Sequence, residues 1–146
     1  MAVMTLDGGC WATVEVGDAS QVGAARRLAT RTAQIAALGD VERGRFELAA
    51  VELATNVLRH AARGSIYMRA SGDVVDVVVI DHGPGMDLER CFSDGYSTGG
   101  TPGTGLGAVR RAADLFDAYS DARGSVLFAR IGHESGPRRG SIAVRS

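Results

Sequence analysis

The stretch VVDVVVI, residues 74 to 80, limits the fold more than any other part of the chain. Branching at Cβ stiffens χ1 and favours the pleated, packed surface of a sheet. A strand so nearly continuous in valine must sit mid-sheet. A second strand-like run, SIYMRAS, lies just before it, and Gly72 with Asp73 between them has the chemistry of a hairpin turn. Two further candidates, FDAYSD and SVLFARI, are joined in the same way through Arg123 and Gly124. Hairpins do not need helical crossovers, so the sheet is expected to be mostly antiparallel.

The helices come in separate blocks. Residues 11 to 17, WATVEVG, alternate like a strand; Asp18 or Ser20 then caps a helix whose apolar positions Val22, Leu28, Ile35 and Leu38 recur at helical spacing until Gly39 ends it. From Glu42 to about Ala61 a second helix carries Phe46, Ala50, Leu53 and Val57 on one stripe and Val51, Ala54 and Leu58 beside it. A helix apolar over more than one face belongs in the interior. A third helix is expected from about Gly105 to Leu115. The order β-α-α-β-β-loop-α-β-β reads as an α/β two-layer sandwich, a mixed and mostly antiparallel sheet with helices on one face.

A chain of 146 residues with 45% hydrophobic content fits one domain with a single core. Residues 1 to 132 are expected to form it, and 133 to 146 to be a flexible tail or the start of a linker to a further domain. The 16 basic and 17 acidic residues nearly cancel and form no basic stripe, which removes the electrostatic footprint of a nucleic acid or membrane partner. With no leader-like N-terminus and no long uncharged apolar run, the location expected is cytoplasmic. Cys10 and Cys91 lack C-x-x-C spacing and read as free thiols; three scattered histidines give no zinc site. Every basic residue is arginine, so mechanisms that require a lysine are excluded, the P-loop and the eukaryotic-type protein kinase among them.

Three elements carry chemistry. Glu52 and Asn56 are one turn apart on one face of the second helix, either a structural polar pair or a carboxylate with a task. At the end of the valine strand stands DHGPGM, in which Asp81 precedes Gly83 and Gly85: a plain turn, or an acceptor facing a pocket whose backbone a flat ligand can approach. The stretch GTGLGAVRR then enters a helix through Gly103, Gly105 and Gly107, and first-turn amides with the helix dipole bind phosphate oxygens. As G-x-G-x-x-A it matches the dinucleotide fingerprint, but STGGTP rather than a strand precedes it, so a Rossmann reading is improbable.

Taken in order, ELATNVLRHA, DHGPGM and DGYSTGGTPGTGLGAVRRAADLFDAYS resemble the Bergerat-fold ATPases, and within them the RsbT-type serine kinases of bacterial stress signalling. The resemblance covers roughly residues 15 to 131. It implies that Glu52 is a general base, that the Asn56 amide helps hold Mg²⁺, and that Asp81 accepts from the adenine amino group while Gly83 and Gly85 let the base lie against the backbone. It also implies that Gly103, Thr104, Gly105, Leu106 and Gly107 touch the phosphates of ATP, with 94 to 102 as a lid whose glycines allow closure. Ser125 falls where the family usually has Gly-Thr and keeps a hydroxyl toward adenine. Arg110 and Arg111, near the helix start, are expected to be solvated, and His60 to be structural.

The activity implied is an ATP- and Mg²⁺-dependent protein serine/threonine kinase acting on a STAS-domain partner in partner switching. The alternative is a non-catalytic nucleotide-binding switch that binds or activates a partner, as an anti-sigma factor or a regulator of a SpoIIE-type phosphatase, or as the N-terminal part of a SpoIIE-type fusion. A sensor histidine kinase fragment is disfavoured by the lack of a preceding helix with a phospho-acceptor histidine.

Overall fold

The computed structural model describes residues 2–6, 9–92 and 105–132. Its elements run β1 (Ala2–Leu6), β2 (Gly9–Val16), α1 (Ser20–Ile35), α2 (Asp40–His60), β3 (Gly64–Ser71), β4 (Val74–Asp81), α3 (Leu88–Phe92), α4 (Leu106–Ala112), β5 (Leu115–Asp121) and β6 (Gly124–Gly132). The six strands form one sheet in the order β1-β2-β3-β4-β6-β5, with every described pairing antiparallel. The valine strand β4 is central, between β3 and β6.

Alternation along the strands separates two faces. Val75, Val77 and Val79 of β4, Ile66 and Met68 of β3, and Leu127, Ala129 and Ile131 of β6 join the buried cluster with Leu28, Phe46, Leu53 and Val57 from the helices. Each large side chain so enclosed contributes about 1.5–3 kcal/mol relative to exposure. Helix α1 packs on β2 and β3, and α2 packs on α1 and reaches β4 and β6. The result is the two-layer α/β sandwich with helices on one face. None of the helices among the described residues is long and apolar enough to cross a membrane.

Four local features depart from the sequence reading. Helix α1 stops at Ile35 rather than running to Gly39, because Ala37 adopts a left-handed conformation (φ 54°) and the Leu38 amide donates back to the Ala33 carbonyl at 3.0 Å. That closing pattern turns the chain, and Ile35, placed on the apolar stripe by its spacing, ends 77% exposed. Helix α4 ends at Ala112, and Leu115 already begins β5. Strand β1 and the short helix α3 were not anticipated. The N-cap of α1 is Ala19, with no side-chain cap of its own, rather than Asp18 or Ser20; the Asp18 carboxylate, one residue earlier, accepts the Ser20 amide at 2.9 Å.

Candidate functional site

Helix α2 is the hub of the site. Its inner face, with Phe46, Ala49, Ala50, Leu53, Ala54 and Val57 buried, fixes its rotation over the sheet. Glu52 and Asn56 therefore lie at the edge of that contact. Asn56 is 5% exposed, and its Nδ2 has a long contact of 4.0 Å with Met86 Sδ. Glu52 is half-buried, and its Oε2 accepts the Gly105 amide at 2.8 Å. Gly105 is the N-cap of α4 with φ 83°, a left-handed conformation that suits glycine. The carboxylate thus meets the glycine turn. Leu106 and Gly107 follow, buried against the rest of the fold.

A row of three buried polar side chains crosses the sheet nearby. Asp81 ends β4 opposite Ser125 of β6, which stands opposite Ser120 of β5. The two serine hydroxyls are 2.8 Å apart, and Ser120 Oγ accepts the Met86 amide at 2.9 Å. Asp81 Oδ1 accepts the Gly83 amide at 3.0 Å. Strand ends and the 82–87 loop are therefore tied together, and Met86 links the loop to Asn56. Ser120 was missed by the sequence reading. The available signal was FDAYSD, where Phe116, Ala118 and Ser120 share a face whose first two members are buried.

Gly83 and Gly85 have a packing reason of their own. A Cβ on Gly83 would stand 2.7 Å from the Ala61 Cβ, and one on Gly85, which has φ 84°, would collide with the Asp121 carbonyl. The loop can only lie this close to the end of α2 and to β5 without side chains there. Arg110 is exposed, with its guanidinium 5.7 Å from the centre of the Phe92 ring, and Arg111 is exposed too. Gly103, Thr104 and the 94–102 segment lie outside the described residues, as does the 133–146 tail.

His60 closes α2 beside Asp81. Burial holds its imidazole below the ordinary value, with Arg59 adding to the effect and Asp81 opposing it. A histidine with a depressed folded-state pKa binds more protons when unfolded, so its contribution is present above the unfolded value of about 6.5 and is lost as pH falls toward the folded one. Urea midpoints are expected to fall between pH 7.5 and pH 5.5, and His60→Gln to fall less; equal slopes would remove this account. Cys91 is also shifted, upward, chiefly by burial. Neither Cys10 nor Cys91 forms a disulfide.

Residues 16–131 match the model of the histidine kinase-like ATPase domain. The chain belongs to that family. The histidine kinase-like ATPase domain described here is 35% identical over 104 residues to the serine/threonine-protein kinase RsbT of Bacillus subtilis strain 168, covering 68% of this chain and 78% of that protein. Among solved structures, a histidine kinase domain from the blue-light-activated histidine kinase of Erythrobacter litoralis EL346 aligns with a TM-score of 0.46 and 22% identity. That alignment covers 77% of this chain and 59% of the solved one. The ATPase domain is thus an RsbT-like member of its family by sequence.

Proposed function

We propose that the chain is an ATP- and Mg²⁺-dependent protein serine/threonine kinase of the RsbT type, acting on a STAS-domain partner in bacterial partner switching. One observation carries the reading: Glu52 and the glycine turn that opens α4 meet at 2.8 Å. An oxyanion already sits on the Gly105 amide, and the carboxylate there stands in for a phosphate oxygen.

The residues present fit the nucleotide. Asp81 offers a buried carboxylate at a strand end, one oxygen of which is held by Gly83. Asn56 offers an amide whose Nδ2 has a long contact with the Met86 thioether. Among the described residues no group of three or more His, Cys, Asp or Glu forms a metal cage. Magnesium is typically held by one or two protein ligands, waters and substrate phosphates, so an Asn56 ligand agrees with that donor set.

Mg²⁺-bound ATP supplies the transferable phosphoryl group and the counter-charge to it. Glu52 would take the proton from the partner's serine or threonine hydroxyl as the phosphoryl group leaves ADP, and Asn56 would be the protein's ligand to the metal. The resemblance assigns the phosphates to the turn from Gly103 to Gly107, of which Gly105, Leu106 and Gly107 are described, and transfer would depend on positioning and electrostatics rather than on covalent participation by the protein. Asp81 would accept from the adenine amino group, with the Ser125–Ser120–Met86 chain holding the loop beside it.

The test is transfer of label from ATP to purified STAS proteins in the presence of Mg²⁺. Asp81→Asn, which replaces a charged acceptor by a neutral amide, should weaken nucleotide binding by about 10- to 100-fold, the equivalent of about 1.5–3 kcal/mol. An unchanged dissociation constant by calorimetry would sink the adenine assignment. A second reading has one observation in its favour, the engagement of Glu52 by Gly105, which leaves the base occupied. In that reading the domain is a nucleotide-set switch that binds an anti-sigma target or a SpoIIE-type phosphatase; nucleotide binding without transfer to any STAS protein selects it.

A further inference from the structure

We propose that the exposed face of α2 is the docking strip for the protein substrate. It would receive an apolar, acidic segment of a second protein and bring that segment's hydroxyl to Glu52. The inference rests on the kinase reading above and deepens it.

Among the described residues, the large apolar side chains left exposed are Ile35, Val41, Leu48, Tyr119 and Val126. Three of these belong to the α1–α2 end of the molecule. Val41 is 63% exposed and Leu48 47% exposed, and both stand on α2. At about 100° per residue, Val41, Arg45, Leu48, Glu52, Thr55 and Arg59 fall on one side of that helix, opposite the side that holds Phe46, Ala50, Leu53 and Val57. Isolated surface leucines and valines are ordinary. Here the two are in line with the candidate base, and Val41 is about 16 Å from Glu52 along the helix axis. A partner helix of three turns spans that distance.

Charge identifies the occupant. Elsewhere on α2, Arg43 pairs with Asp40 at 3.0 Å and with Glu47 at 3.5 Å, and Arg26 of α1 pairs with Glu47 at 3.5 Å. Arg45 and Arg59 are exposed and have no ion pair with a described residue. The one carboxylate on their side, Glu52, is bonded to the Gly105 amide. The strip therefore presents two apolar side chains and two uncompensated cations. A segment with leucine-like and acidic side chains at helical spacing complements it, and rim charges of this kind set orientation and association rate. A second copy of this chain would bring further arginines against these, which argues against self-association through this face.

The experiment uses the full chain and two fluorescein-labelled peptides of about four helical turns. Each has leucines at i, i+4 and i+7 and a serine near one end, one with glutamates between the leucines and the other with lysines. Fluorescence anisotropy should show the glutamate peptide binding more tightly. Leu48→Glu and Arg45→Glu should each weaken it by about tenfold, a difference of about 1.4 kcal/mol. Arg45→Glu should in turn favour the lysine peptide. With ATP and Mg²⁺, the same variants should raise KM for the glutamate peptide while kcat and the heat of ATP binding stay at wild-type values. If wild type does not distinguish the peptides, or both variants bind the glutamate peptide like wild type, the docking strip is overturned while the kinase reading stands. A dimer in sedimentation that Leu48→Glu dissociates would overturn it too, in favour of a self-interface. Absence of heat from ATP with wild type would overturn both.

Discussion

Glu52→Gln is expected to reduce phosphoryl transfer by about 10²- to 10⁴-fold, the range typical of a general base. Glutamine matches the shape of glutamate, and its carbonyl oxygen can still accept the Gly105 amide that Oε2 accepts at 2.8 Å. The start of α4 should therefore stay in place while the basicity is lost. Glu52→Ala removes both, and should add a stability loss of about 1 kcal/mol, since the carboxylate is only half-buried and water can replace it. Nucleotide affinity should be equal or greater in both variants, because a negative charge beside the polyphosphate is gone. Single-turnover transfer and ATP calorimetry on the two variants separate these effects. Transfer by Glu52→Gln within threefold of wild type would end the assignment of Glu52 as base, while a loss of ATP binding would mean that Glu52 supports the turn rather than the chemistry.

The sequence was legible where periodicity and burial agree. A run of valines could only be a central strand, and β4 has neighbours on both sides. The spacing of Glu52 and Asn56 could only put them on one face of a helix whose other face was apolar. Legibility failed where a local conformation decided the outcome. Nothing in an alanine announces a left-handed residue, so the end of α1 at Ala37, and with it the exposure of Ile35, lay outside pattern reasoning. Contacts across the sheet were equally hidden. Ser120 gains its place from register with Ser125, and register is a property of the folded pairing rather than of either strand. Arg110 was expected in solvent and is exposed, yet its stacking over Phe92 depends on α3, a helix of five residues too short to show periodicity.

The same dependence on register explains Asp76, an aspartate inside the valine run. It points away from the helices, is 0% exposed, and stands opposite Arg69 of β3 and Arg130 of β6. Arg69 Nε donates to it at 3.0 Å and Arg130 Nε at 2.7 Å, while the Arg69 guanidinium lies 4.5 Å from the centre of the Trp11 ring. Two cations therefore share one buried anion across three strands. Removing that anion leaves two like charges facing each other over β4 without the carboxylate they share, and breaking a buried pair in this way costs about 3–5 kcal/mol. Each arginine side chain is 23% exposed and can turn partly toward water, which places Asp76→Ala at the lower end, about 3 kcal/mol. For a domain of this size that corresponds to a fall in Tm of about 9 °C. A triple replacement of Arg69, Asp76 and Arg130 by methionine, leucine and methionine should recover most of it, since an apolar trio of similar volume carries no desolvation penalty. Because this row lies on the sheet face opposite α2, ATP calorimetry below the transition should be unchanged in both variants. A melting temperature for Asp76→Ala within about 2 °C of wild type would show that the arginines are satisfied without the aspartate, and the ion triad would then hold nothing together.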